Sequence, residues 1–496
     1  MKYEDLQPYI DKRQALNQAL TLFSWDQETE APIASVELTA KSVGILSKEL
    51  FELINDPKVK EILEDLLVQP LPLRQKSVVE NWLKDIRKLE KIPADKYQAY
   101  QERLMIAQRV WQKAKADNDY QLFMPYLQEI VATKKEFATY RYQDEACLYD
   151  ALLDDYEPGF TVAKLDEFFA KLKQEIVPLL KKIQTADITI DKSYNYLEYD
   201  LKKQREFNHW IAGYVGFDFT KGLIKESEHP FTTEFHNHDV RITTHYYLHN
   251  LESALFSTIH ECGHAIYEMN IDNSITMTPI GTGASMGMHE SQSRFYENII
   301  GRSLAFWKPI YPRLKTIFEK NLEDVSLNQF IMGINKVEPS LIRTEADELT
   351  YPLHIMIRYE IEKKLFSEEV DFATLPQLWN QLYQEYLGIT PNNDSEGILQ
   401  DIHWAGGDFG YFPSYAVGSA ISSQIYSHMV NNTAITDWIE SGDFQVLKKY
   451  LQEYIHQYGA IFDTDEILMR LMDEKFNPDY YIRYLIDKYT KLYDLK

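Results

Sequence analysis

The chain has 496 residues, 45% of them hydrophobic and 26% charged, a balance that supports a sizeable core and excludes a disordered chain. Its net charge of −24, with no lysine- and arginine-rich run to offset it, repels phosphate backbones and anionic lipid, so neither nucleic acid nor membrane is an expected partner. Two cysteines, Cys147 and Cys262, lie too far apart and are too few for a disulfide framework.

The first residues, "MKYEDLQPYIDKRQ", carry no apolar signal core, and no stretch reaches eighteen consecutive apolar residues, which points to a cytoplasmic protein. Length alone allows two or three domains. No repeat, low-complexity tract or flexible linker separates them, so residues 1–496 read as one unit: roughly 1–200 mostly helical, 201–430 carrying the chemical motifs, and 431–496 as C-terminal helices.

Helical periodicity dominates. In "EPGFTVAKLDEFFAKLKQEIVPLLKKI", Pro158 and Gly159 mark a turn, Thr161 is placed to cap a helix, and Leu165, Phe168, Phe169 and Leu172 share one face. The stretch "HPFTTEFHNHDVRITTHYY", 229 to 247, breaks the rule. It is rich in strand formers, with "FHNHD" as the turn between two short strands. An edge there can receive an extended peptide by strand addition. Near the end, Asn477 and Pro478 predict a cap and first-turn proline for "DYYIRYLIDKY".

"NLESALFSTIHECGHAIYEMN" follows the strands, with Leu251, Leu255, Ile259 and Ile266 at helical intervals. On such a helix His260 and His264, four apart, point two imidazoles at one ion. Glu261 projects beside that ion and is placed to act as general base toward a metal-activated water, whose pKa falls from roughly 16 to about 7. A catalytic zinc normally takes three protein ligands. The extended pattern HExxHxxGxxH fails, because Tyr267 stands in place of its glycine and Asn270 in place of its last histidine. Glu268 lies a further turn along. Glu290 in "GMHESQSRFYENIIGRS" is the best third ligand, on a second helix entered through the turn "PIGTGASMG". His289 and Glu297 compete with it, and the bland alternative makes all of these polar groups satisfied inside a helical core.

At these residues the chain resembles the thermostable carboxypeptidase family of zinc peptidases, of the carboxypeptidase Taq type. The resemblance is carried by "HPF" (229–231), "DVRITT" (239–244), "HECGH" (260–264), "HESQSR" (289–294), "IRTEAD" (342–347) and "GILQDIHW" (397–404), followed by "GYFPSYAVG" (410–418). "LFSWDQETEAPIAS" (22–35) is similar to the family's N-terminal segment, with Ala31 in place of the usual methionine. The resemblance implies a mainly α, neurolysin-like two-lobed fold around a deep active-site groove, with a small sheet near the metal-binding helix, assembled as a homodimer. It also implies a divalent metal on His260, His264 and Glu290: Zn²⁺ suits that donor set, and Co²⁺ or Mn²⁺ can occupy it.

A carboxypeptidase must bind a free carboxylate, and arginine offers it paired donors. Arg343 and Arg241 are the candidates; their bland roles are ion pairs with Glu345 or Asp347, and with Asp239. His403 with Tyr415, or with Tyr411, resembles the histidine and tyrosine that stabilise the oxyanion in neurolysin-like peptidases. Gln400 is a candidate for the substrate backbone, and Asp401 for orienting His403 or a metal ligand. The expected activity is metal-dependent removal of C-terminal residues from peptides with a free C-terminus. The alternatives are an oligoendopeptidase with the same metal centre and a catalytically silent peptide-binding scaffold; intact Glu261 argues against the latter.

Overall fold

The computed structural model describes residues 1–142 and 148–495. Cys147 lies outside the described residues, and Cys262 is buried with a free thiol. Among the described residues the chain is mainly helical, with one three-stranded sheet made of β1 (Gly222–Glu226), β2 (Thr232–His236) and β3 (Asp239–Thr244) in the order β1-β3-β2. It divides into two compact units that interleave in sequence: Met1–Leu89, Ile190–Ile334 and Ser422–Phe476 form one, and Glu90–Thr189, Asn335–Ile421 and Asn477–Lys496 the other. Among the described residues no helix is long and apolar enough to cross a membrane.

The first unit carries the sheet. β2 (Thr232–His236) and β3 (Asp239–Thr244) pair antiparallel across Asn237 and His238, as the sequence predicts. β1 (Gly222–Glu226) lies parallel to β3 and has no alternating pattern to announce it. The pairing of Thr232 with Ile242 and of Glu234 with Val240 puts Thr232 and Glu234 on the face shared by buried Val240 and Ile242. β2 is an edge.

Against this sheet packs the histidine helix, Leu251–Met269. Asn250 caps it by accepting from the Ser253 amide at 3.1 Å. Leu251, Leu255, Ile259 and Ile266 are all buried. A second helix, Met286–Arg294, starts at Ser285, whose hydroxyl accepts from the Met288 amide at 3.0 Å. It continues as a π-helix, Phe295–Ile300. Gly263 lets the two helices close: a Cβ there would stand 2.6 Å from Gln292 O and from Ser293 Cα. Because backbone cannot swing aside as a side-chain tip does, Gly263→Ala is expected to cost about 1 to 3 kcal/mol despite alanine's better helix propensity. Thermal melting of the variant measures this, and an unchanged midpoint overturns it.

The connection between the two helices is fastened elsewhere in the same unit. Ile271, Ile275 and Ile280 are buried in one apolar cluster with Leu6 and Ile10, with Val59 to Leu66 of the helix Pro57–Leu67, and with Val78 to Ile86 of the helix Leu73–Leu89.

In the second unit the helix Val162–Gln184 is capped by Thr161, which accepts from the Lys164 amide, and buries Leu165, Phe168, Phe169 and Leu172 as its periodicity predicts. The helix near the C-terminus begins one residue later than the sequence suggests. Asp479 is its first residue, Pro478 takes the cap position, and the Asn477 side chain accepts from the Asp479 amide at 3.0 Å. The helix Tyr351–Ser367 is buried nearly all round, yet His354, Arg358 and Glu362 recur on it at intervals of four. This polar stripe organises the segment that carries "GILQDIHW".

Candidate active site

His260 and His264 stand one turn apart on the histidine helix, and Glu290 comes to them from the second helix. Glu290 Oε2 lies 3.7 Å from His260 Nε2 and 3.3 Å from His264 Nε2. The ligand atoms of the three residues all lie within 4.8 Å of one another, so one small cation can touch all three.

Every inward atom is aimed by a partner on its outer side. His260 Nδ1 donates to Glu297 Oε2 at 2.9 Å, which leaves the Nε2 lone pair facing inward. His264 turns Nδ1 to His289 at 2.5 Å. Arg294 Nε donates to Glu290 Oε1 at 2.6 Å and leaves Oε2 for the centre. Arg294 and Arg302 also donate to Glu297, at 3.2 and 3.1 Å. Glu297 therefore orients His260, and His289 orients His264, where the sequence left both as competitors for the third place. Glu268 does not face the centre; it accepts from His289 Nε2 at 2.8 Å.

The electrostatics suit a cation. Burial alone would push the Glu290 carboxyl up, but Arg294 and His260 outweigh it and hold it well below the usual carboxylate range. Glu297 is depressed in the same way, with Arg294 and His260 overcoming burial. Burial, with the neighbouring His289, pulls His264 down to about 3, so its imidazole stays neutral. Burial also favours neutral His260, but Glu290 and Glu297 outweigh it and raise that ring. Metal ligands must be free of protons at the donor atom, and an ionised Glu290 with a neutral His264 meets that need. The donor chemistry fits one divalent ion.

Glu261 is 6% exposed beside this group. Its Oε2 accepts from the Thr232 hydroxyl of β2 at 2.5 Å. Burial raises its pKa, with His260 and the Thr232 bond opposing.

In the second unit, His403 Nε2 and the Tyr415 hydroxyl lie 3.3 Å apart, and the His403 ring stacks on Tyr411 with centroids 5.6 Å apart. Burial first, then Arg343, lowers His403 to about 4, so its ring is neutral. Its neighbour Asp401 does not orient it. Asp401 Oδ1 accepts from Arg343 Nε and Nη2 at 3.1 and 3.0 Å, and Oδ2 from Arg358 Nε at 2.7 Å. Arg343 is thus paired with Asp401 rather than with Glu345 or Asp347. Arg241 pairs with Asp239 at 2.8 and 2.7 Å, its bland reading. Gln400 accepts from the Arg343 amide and from Arg358 Nη2, and donates to backbone carbonyls of Leu341 and Glu396.

Sequence reasoning missed Thr232 as the partner of Glu261 and missed the stripe on Tyr351–Ser367. Arg358 is fully buried, and Glu362 accepts from Tyr149, Trp404 Nε1 and the Gly410 amide at 2.6, 2.8 and 2.8 Å. The signal was present: polar residues four apart in an otherwise apolar helix are expensive to bury and imply partners.

Two inward-facing histidines from an HExxH helix, a carboxylate from the next helix and an adjacent buried glutamate fit the pattern of a metallopeptidase centre. The family model for the carboxypeptidase Taq (M32) metallopeptidases matches residues 5–489, and the chain belongs to that family. It is 44% identical over 481 residues to carboxypeptidase 1 of Bacillus subtilis (strain 168), covering 96% of each chain. It is 35% identical over 504 residues to thermostable carboxypeptidase 1 of Thermus thermophilus, covering 99% of each. The crystal structure of the M32 carboxypeptidase from Deinococcus radiodurans R1 is similar with a TM-score of 0.96 and 29% identity, covering 99% of both chains. The protein is a metallocarboxypeptidase, and its family implies a divalent metal.

Proposed function

We propose that His260, His264 and Glu290 hold Zn²⁺, with Co²⁺ or Mn²⁺ as substitutes, and that residues 1–496 act as one cytoplasmic, homodimeric enzyme removing C-terminal residues from peptides with a free C-terminus. The observation that carries this reading is the convergence of two Nε2 atoms and one carboxylate oxygen within 4.8 Å, beside Glu261. A divalent ion held there supplies Lewis acidity, polarising the scissile carbonyl and acidifying water.

Glu261 takes the proton of the attacking water and returns it to the leaving amine, so that water and one peptide bond become a carboxylate and an amine. Its raised pKa suits a group that must carry that proton for part of the cycle. The Thr232 hydroxyl fixes one of its oxygens and leaves the other for water. β2, an edge strand on the same face, offers backbone groups to an extended substrate.

His403 and Tyr415 donate to the oxyanion, with Tyr411 packed against both; a single such donor is worth about 3 to 4 kcal/mol. The neutrality of His403 suits a donor that keeps its proton. Arg343 receives the terminal carboxylate, with Arg241 the alternative, and Gln400 the substrate backbone. Arg343 keeps positive charge to offer, because it shares the single carboxylate of Asp401 with Arg358.

A mass-spectrometric time course on one peptide, unblocked or C-terminally amidated, tests the reading. Ladder-like shortening of the unblocked peptide that stops with a chelator and with amidation is expected. Internal fragments from the amidated peptide at a similar rate overturn it in favour of an endopeptidase.

A further inference from the structure

We infer that Glu268 and His289 form a proton-ordering relay that fixes the tautomer of His264 and thereby sets the affinity of the centre for its cation. The inference rests on the metal site proposed above and adds two positioning residues to it.

The relay follows from donors and acceptors. Glu268 is buried, with its side chain 2% exposed. Its Oε1 accepts from the Gly283 amide at 3.1 Å and lies 2.8 Å from His289 Nε2. With a cation at the centre repelling a second ring proton, the Glu268 carboxylate holds the one proton of His289 on Nε2, and Nδ1 then presents a lone pair. That lone pair meets His264 Nδ1 at 2.5 Å. Two lone pairs cannot face each other at that distance, so His264 carries its proton on Nδ1 and donates it. The Nε2 atom of His264, 3.3 Å from Glu290 Oε2, is then left bare for a cation. Reversing either ring sets a lone pair against the Glu268 carboxylate or blocks the metal-facing nitrogen. With a cation at the centre, one proton per ring is the arrangement in which every contact attracts.

The glycine-rich turn completes the device. A Cβ on Gly283 would stand 2.7 Å from His289 Cδ2 and 3.1 Å from Tyr267 Cε1, so the absence of a side chain is what admits the His289 ring. The next residue, Ala284, donates its amide to the Tyr267 hydroxyl at 3.1 Å. The turn thus clamps the helix end that carries Glu268 and leaves a slot for the imidazole. His260 has a simpler arrangement, with Glu297 directly on Nδ1. The two histidine ligands are therefore ordered by different means, one by a carboxylate and one through a second ring.

The test measures Zn²⁺ affinity by competition with a chromophoric chelator, together with melting of the metal-free protein. His289→Leu is expected to weaken Zn²⁺ binding about 10- to 100-fold, with the metal-free protein still folding and melting cooperatively at a midpoint lowered by the partner that buried Glu268 loses. His289→Gln keeps an acceptor oxygen for His264 and is expected to recover most of the affinity. Glu268→Ala, which leaves His289 free to take either tautomer, falls between His289→Leu and wild type. Wild-type affinity in His289→Leu overturns the relay, and so does an equal loss in the Leu and Gln variants, which marks a packing role. Failure of the wild-type protein to take up Zn²⁺ sinks the metal site itself, a result distinct from either.

Discussion

Glu261→Gln is expected to lower kcat by roughly a thousandfold, within the range that a positioned general base supplies, while the protein stays folded and keeps its cation. The three ligand atoms do not include Glu261, so metal content by elemental analysis should match wild type. The glutamine is isosteric and its carbonyl oxygen still accepts from Thr232, which donates to Glu261 Oε2 at 2.5 Å; KM is expected to change little. What the amide lacks is basicity. Hydrolysis at the wild-type rate in this variant would remove Glu261 from the reaction altogether.

The largest loss of stability is expected from Asp401→Asn. Arg358 has a fully buried side chain and Arg343 is 7% exposed, and Asp401 is the carboxylate to which both guanidinium groups donate. Removing the carboxylate leaves two buried cations facing an amide, and breaking a buried pair in this way costs about 3 to 5 kcal/mol. Urea unfolding at neutral pH reads this directly, and a change below about 1 kcal/mol would contradict it. The pH dependence carries a sign. Burial alone would raise the Asp401 carboxyl, but Arg343 and Arg358 outweigh it and hold it far below its ordinary value of 3.8. A depressed folded-state pKa gives stability that is fully present above that ordinary value and is lost as pH falls toward the folded one. The gap between wild type and Asp401→Asn should therefore stay flat above pH 5 and narrow progressively as pH falls below about 4.

The convergence of the two histidines was legible because helix geometry links spacing to direction: residues four apart share a face, so bringing His260 and His264 together required no tertiary knowledge. Glu290 was legible at one remove, through a turn and a second helical pattern. Its supporting residues were not. Glu297 reaches His260 from a π-helical turn, and Thr232 reaches Glu261 from a strand 29 residues away; no local periodicity encodes either contact. Strand β1 went unread because its partner β3 lies in parallel register beyond an intervening strand. The partner of Arg343 was not legible for the same reason. Asp347 and Glu345 are near in sequence, whereas Asp401, 58 residues on, is the one that closes the pair. The two interleaved units are likewise a property of long-range contacts, which leave no linker to see.

The seating of Ile271, Ile275 and Ile280 among side chains from residues 6 to 86 makes cation uptake and the integrity of the N-terminal helices a single thermodynamic account. A ligand that binds the folded form stabilises whatever must be folded to bind it, and the reverse follows by reciprocity. Loosening that far cluster, as by trimming Trp82, should thus surface as weaker hold on a metal it never touches, and loading the metal should in turn protect those helices from proteolysis.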